Sequence, residues 1–444
     1  MSKAKQEPSL NPSTSFFSQA ANKLRERGGI AGLLKHSLVK NALLLYVVQI
    51  SSYLFPLAVL PFLSRILQPE KFGLVVFAQS FIWYFITLTD YGFALTATRK
   101  VAAHREEPEE LSRIFSSVMA TKLFLMAAGF VAMMAITLAV PKLRPNLLLF
   151  IVTYLNVVGN TIFPVWLFQG LQLLQHVAIR DFVAKLSSML LLFLFVHNES
   201  DYIWAAGIQS GGVVIGGLFG LVQVQKIIKQ AWVWPGWTAI VGELREGWPV
   251  FLSMAAVTLS GLNIVILGLW APPTEVGYYS AAYRVSTAVR VMVSPLVSVL
   301  YPHLSHLATK DKQHTVQFVR RYALLLSSPF GLISLMLLFA APWLVPVVFG
   351  KLYLPTIPLL QILALTPFLY AFGHNYSTFY MLANGYDRQW QRLIVSGVIL
   401  NFVLLFPLLM LIPPTRATAI TALVVDIYTA VASYLFFRRT ADAV

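Results

Sequence analysis

The stretch "ITLTDYGFALTATRK", Ile86 to Lys100, sets one carboxylate, Asp90, in an otherwise apolar run and then closes on Arg99 and Lys100. It is typical of the chain. Of 444 residues, 57% are hydrophobic and only 11% charged, with a mean hydropathy of +0.71, whereas a soluble globular protein carries about 25% charged residues. Roughly 20 mostly apolar residues cross a hydrocarbon core of about 30 Å. Such runs recur along the whole sequence, and their short polar breaks leave no room for a soluble domain. The stretch therefore reads as the end of a membrane-spanning helix, and the chain as an all-α polytopic membrane protein.

Cutting at charge and proline clusters gives twelve spans, near 41–64, 72–98, 114–140, 146–170, 178–196, 202–224, 248–271, 277–301, 321–348, 355–383, 391–412 and 417–437. With the N-terminus on the cytoplasmic side, the inside segments collect 24 of the 33 basic residues, Arg180 and Lys185 among them. The outside segments keep Arg65, Lys71, Lys142, Arg144, Lys351 and Arg416. That asymmetry follows the positive-inside rule and places both termini inside. It also accounts for the net charge of +15 without a nucleic-acid partner. Lys122, Arg284 and Arg290 are left over, within spans.

Cysteine is absent, which excludes disulfides and thiolate chemistry. The polar N-terminus reaches no apolar core of signal length before Leu38, so no cleavable signal peptide is expected. The outside turn "LQPEKFGLVVFAQ" has a weaker counterpart in "APPTEVGYYSAAY", matching Gly73 to Gly277, and "VWLFQGLQLLQ" echoes "FYMLANGYDRQ", matching Gly170 to Gly385. An even number of spans per copy makes both copies enter from the same side, so two six-helix lobes related by a pseudo-two-fold axis along the membrane normal are expected. The organisation reads as a basic tail (1–37), a first lobe (38–224), an inter-lobe linker (225–247) with Trp232 and Trp237 as interfacial anchors, a second lobe (248–439) and a short tail (440–444).

"LPFLSRILQPEKFGLVVFAQS", followed by "LTDYGFALTATRKVA" and "FPVWLFQGLQ", resembles the Wzx-type O-antigen and exopolysaccharide flippases of the multidrug, oligosaccharidyl-lipid and polysaccharide exporter superfamily. The likeness runs from about Leu38 onward. It departs where "FQGL" is followed by "QLLQH" rather than by acidic and basic residues. The resemblance implies a bacterial inner-membrane protein that turns undecaprenyl-diphosphate-linked oligosaccharide repeat units to the outer leaflet. Its expected partners are that substrate, membrane lipids, a glycan polymerase and a chain-length regulator.

A diphosphate calls for Arg or Lys donors in a low-dielectric cavity, and intramembrane charges face a cavity or a partner. Arg284 and Arg290 lie about 12 and 21 Å along the eighth span from its outer start. Tyr279, Tyr283 and Arg290 follow spacings of four and seven and so share a face, where two rings could hold sugars beside a guanidinium. Asp426 stands at about the depth of Arg290, as a neutralising partner or a gate. Asn156 and Asn160, one turn apart, could meet sugar hydroxyls or bond neighbouring helices. His374 is a candidate for proton coupling.

Asp90 and Arg99 stand on opposite sides of a helix. Asp90 lies about 13 Å from the cytoplasmic end of the second span and Lys122 about 12 Å into the third, so an Asp90 to Lys122 ion pair is expected at the inward-facing cavity. Lys122 there also counts as a substrate-facing cation. Arg99 and Lys100 then form a cytoplasmic basic rim. There is no nucleotide, metalloprotease or hydrolase signature, so neither cofactor nor enzyme chemistry is expected. "HREEPEELSR" gathers glutamates but mixes in Arg and His, and reads as a solvated turn rather than a metal site. A cation-coupled multidrug exporter would need clustered intramembrane carboxylates. A glycan polymerase or ligase would need a large outside loop. Neither is present in the sequence.

Overall fold

Every described apolar run is helical. In chain order the helices are α1 (Ser37–Asp90), α2 (Phe93–Ala103), α3 (Pro108–Ala139), α4 (Leu147–Ile162), α5 (Val165–Gly170), α6 (Leu174–Phe195), α7 (Tyr202–Ile227) and α8 (Trp237–Leu259). The second half holds α9 (Asn263–Trp270), α10 (Pro273–Val291), α11 (Ser294–Lys310), α12 (Lys312–Val348), α13 (Thr356–Leu363), α14 (Thr366–Tyr376), α15 (Asp387–Leu411) and α16 (Pro414–Ala441). This computed structural model describes residues 37–227, 233–259 and 261–441. The N-terminal tail before Ser37 and Trp232 lie outside the described residues. Met1–Tyr53 and Leu54–Val444 are separate compact units, and the packing below is that of Leu54–Val444.

Nine helical stretches among the described residues are long and apolar enough to cross a membrane. Among the described residues the helices divide into twelve span-length passes for physical reasons. The 54 residues of α1 would reach about 80 Å at 1.5 Å per residue. They cannot form one crossing, and they turn at Gln68, whose φ of 55° interrupts the helix. Arg180, Asp181 and Lys185 dilute the hydropathy of α6, as Glu243, Arg245 and Glu246 dilute that of α8. The second pass breaks at Tyr91 and Gly92, with φ of 44° and 84°, and the eighth breaks between Val291 and Ser294. The tightest helix pairs lie within each half, α4 with α7 and α6 with α7 in the first, α15 with α16 and α12 with α14 in the second.

The repeat read from the sequence is realised as a direct contact. A Cβ at Gly73 would lie 1.9 Å from the Pro273 carbonyl oxygen, and one at Gly277 would lie 2.0 Å from that of Pro69. Pro69 stands to Gly73 as Pro273 stands to Gly277, so each copy touches the other with the same two residues. Such reciprocity is the mark of a two-fold relation.

Around this contact the two halves are tied further. Arg65 donates to the carbonyls of Val347 and Val348, and the Tyr353 hydroxyl donates to the Ser64 carbonyl at 3.1 Å. Lys142 donates to those of Leu269 at 3.1 Å and Ala271 at 2.7 Å. Burial lowers the pKa of the Lys142 ammonium, which these carbonyls hold.

The expected linker is shorter than 225–247. Helix α7 continues to Ile227 and α8 begins at Trp237, because no glycine or proline stands between Trp237 and Glu246 except Gly242, and Ile240, Leu244 and Trp248 keep a helical period. Trp237 is exposed and sets its ring edge-on to Phe124 at 5.3 Å.

Candidate functional site

A cavity of 440 Å³ opens between α1, α4, α6, α7 and α10. Both arms of α1 give it an apolar wall that includes Phe55, Val59, Leu63 and Trp83. The other walls mix apolar side chains such as Met189, Leu192 and Val213 with polar ones. Helix α4 contributes Asn156 and Asn160, α6 contributes Arg180, Asp181 and Lys185, and α10 of the second half contributes Arg284. Three cations thus face one carboxylate.

Arg284 donates to Gln79 Oε1 at 3.0 Å, Gln79 donates to Gln209 Oε1 at 3.2 Å, and Gln209 donates to the Ala205 carbonyl at 3.0 Å. This relay joins α10, α1 and α7, so it crosses from one half to the other. The Arg284 guanidinium also lies 5.8 Å from the Phe72 ring centre. None of the ion pairs among the described residues includes Arg284. Its charge is met by a neutral amide and a ring. Asn156 donates to Ser210 Oγ at 2.7 Å, and Asn160 donates to the Asn156 carbonyl at 2.9 Å. Asn156 therefore ties α4 to α7, Asn160 bonds back within α4, and both line the cavity.

Asp90 and Lys122 stand 2.9 Å apart, as depth alone suggested. The route differs, because Asp90 is the last residue of α1 and the chain breaks at Tyr91 and Gly92 instead of continuing to Arg99 as one helix. The Lys122 side chain is 3% exposed and Asp90 is 49% exposed. Lys122 is thus held by its partner and does not line the cavity, contrary to a substrate-facing role.

Arg290 and Asp426 also pair, between α10 and α16. The Arg290 guanidinium lies 5.2 Å from the Tyr370 ring, and His374 packs on that same ring at 4.2 Å. These residues form a cluster of their own in the second half, apart from the cavity. Tyr279 and Tyr283 stack at 5.8 Å, but Tyr279 is 0% exposed within the largest core cluster. Its faces are covered by protein, so the expected sugar platform is not open there.

The basic rim is only half a rim. Arg99 is exposed and meets Glu246 at 3.4 Å, whereas Lys100 is more deeply held, by Glu243 at 2.9 Å and Glu246 at 2.8 Å. Ser117 donates to the same Glu243 carboxylate at 3.0 Å. The sequence reading missed Glu243 by placing it in the linker, although the period of Ile240, Leu244 and Trp248 carried the signal. It likewise spent Arg180 and Lys185 on topology, although "HVAIRDFVAKL" continues as helix on both sides of them.

Residues 38–308 match the family described as "Polysaccharide biosynthesis protein". The chain is 31% identical over 409 residues to the "Putative O-antigen transporter" of Escherichia coli (strain K12), covering 91% of this chain and 98% of that protein. The protein of the same name from Shigella dysenteriae is 30% identical over 372 residues, covering 83% and 92%. Among solved structures, an inward-facing multidrug resistance MATE family transporter of the MOP superfamily superposes with a TM-score of 0.69 at 13% identity, covering 88% of this chain and 95% of that one. The lipid II flippase MurJ, in an inward closed conformation, gives 0.66 at 13% identity, covering 89% and 87%. At such identities these two likenesses concern the fold.

Proposed function

We propose, for a chain that belongs to the polysaccharide biosynthesis protein family, that it is a transporter rather than an enzyme. In this reading it turns undecaprenyl-diphosphate-linked oligosaccharide repeat units from the inner to the outer leaflet of a bacterial inner membrane, for O-antigen or exopolysaccharide. The observation that carries the reading is the two-natured cavity, in which apolar side chains of α1 share one space with three cations and two asparagines. A lipid-linked sugar diphosphate has the same two natures. Arg284, lacking a carboxylate, would meet the phosphates, and Asn156 and Asn160 the sugar hydroxyls.

Two further features support alternating access. The Gly73 and Gly277 contact, with the bonds of Arg65, Lys142 and Tyr353, closes one end between the halves. The positive-inside asymmetry supports that end as the outer one and a cytoplasmic side for both termini. The pairs Asp90 with Lys122 and Arg290 with Asp426 would then act as ion pairs that hold helices in register through the cycle. A cation exporter is disfavoured because the carboxylate lining the cavity, Asp181, is already bonded to Arg180 at 2.7 Å.

The test is a deletion strain. Lipid-linked repeat units should accumulate on the inner leaflet, and the wild-type gene should restore export. Unchanged surface glycan in the deletion strain would refute the proposal.

A further inference from the structure

Arg180 is so far only one of the cavity's three cations, yet its surroundings are those of a binding group. Its side chain is 9% exposed and lines the cavity. Nη1 donates to Asp181 Oδ1 at 2.7 Å, while Nε and Nη2 have no partner. A buried guanidinium with unused donors is costly, because each buried N–H must otherwise replace the water it has lost.

The sequence makes room for this side chain. A Cβ at Gly216 of α7 would lie 3.0 Å from Arg180 Nε and 3.1 Å from Cγ, so any larger residue there would crowd the arginine. On another side the guanidinium lies 4.6 Å from the Phe163 ring centre. Glycine and ring together hold the fork in place, and a fixed planar fork with free N–H groups matches phosphate geometry. Lys185, on the same helix and on the same cavity wall, adds a second positive charge.

We infer that Arg180, held between Gly216 and Phe163, is a second group, beside Arg284, that grips a phosphate oxyanion of the cargo in this cavity. The shared chemistry is a phosphate oxyanion, and its source is the lipid-linked diphosphate, because the apolar wall of Phe55, Val59 and Trp83 borders the same space. Asp181 occupies Nη1, and Nε and Nη2 stay buried without a partner, the donors that a phosphate oxygen would satisfy. The source of the phosphate rests on the transport reading. The binding itself does not.

The test uses the purified full chain in phosphatidylethanolamine nanodiscs, with thermal unfolding and titration as readouts. Two probes are compared at matched ionic strength: inorganic pyrophosphate and geranylgeranyl diphosphate. Wild type should be stabilised by both, and more strongly by the prenyl compound. Arg180→Ala should weaken both by at least about tenfold, the size expected for one charge-assisted contact. Arg180→Lys should keep part of the binding, and it serves as the reporter should the alanine variant fail to fold. Arg416→Gln, a distant exposed charge, should change nothing.

Equal binding by Arg180→Ala and Arg180→Lys to that of wild type would overturn the assignment. So would stabilisation by glucuronate, added as a control anion, without stabilisation by pyrophosphate, which would make the site one for acidic sugars. Binding of pyrophosphate without the prenyl compound would overturn the lipid source. Normal glycan export in the deletion strain would remove the transport reading and leave the Arg180 result standing, so the two failures are distinguishable.

Discussion

Substituting Gly277 by alanine puts one methyl group where the structure has no space for it. The added carbon would lie 2.0 Å from the Pro69 carbonyl oxygen and 2.8 Å from its carbon, both backbone atoms that no rotamer change can move aside. Overpacking of this kind costs about 1–3 kcal/mol, and a clash with main chain belongs at the upper end. Against it stands the helical preference of alanine over glycine, at most about 1 kcal/mol. The net is about 2 kcal/mol against the closed contact, roughly a thirtyfold shift toward separation of Gly73 from Gly277. The assay is direct because the chain contains no cysteine. Ser64 is buried on α1 beneath the Tyr353 hydroxyl, and Ser64→Cys gives a nearly isosteric reporter. In the Gly277→Ala background its labelling by a membrane-impermeant maleimide should accelerate by a factor on the order of ten or more. Labelling that stays slow, in a protein whose unfolding temperature is unchanged, would refute the claim that this contact holds the end closed.

Three further outcomes follow from the same geometry. Arg284→Ala should reduce complementation of glycan export at normal protein level, and Arg284→Lys should retain part of it, because the charge returns without the fork that reaches Gln79; full export by the alanine variant would remove Arg284 from the transport path. For the Asp90 and Lys122 pair the cost should be asymmetric. Asp90→Ala strands a buried ammonium and should destabilise by about 3 kcal/mol, while Lys122→Met leaves a half-exposed carboxylate and should cost about 1 kcal/mol, as read from thermal unfolding in nanodiscs. Asp311 caps α12, and the Gln313 backbone N–H, then His314, hold its carboxyl below the usual value of 3.8. A lowered pKa in the folded state means that the cap contributes fully above 3.8 and is lost as pH falls through the folded value. Wild type should therefore lose stability on acidification below about pH 4 by more than Asp311→Ala does, and equal slopes would show that the cap is not linked to pH.

What could be read from the sequence was depth, and what could not was azimuth. Hydropathy and charge locate a residue along the membrane normal, which is why Asp90 met Lys122 and Asp426 met Arg290. The rotation of each helix about its axis is set by packing. Tyr279 shared a face with Tyr283 as its spacing required, yet that face turned into the core. Helix breaks added a second loss. The left-handed residues Tyr91 and Gly92 end α1 just past Asp90 and redirect the chain, so the reason that Asp90 and Arg99 do not pair is a change of direction rather than half a turn of helix. The third loss is a competition between two rules. A basic residue near a span end serves topology in most membrane proteins, and Arg180 and Lys185 satisfied that rule so well that nothing called for another role. Yet topology needs only charge on the correct side. It does not explain an arginine side chain 9% exposed, a glycine packed against it, and two buried donors without a partner at the wall of a cavity. The structural demand on Gly216 and Phe163 separates the two roles, because a topogenic arginine places no requirement on the shape of its neighbours.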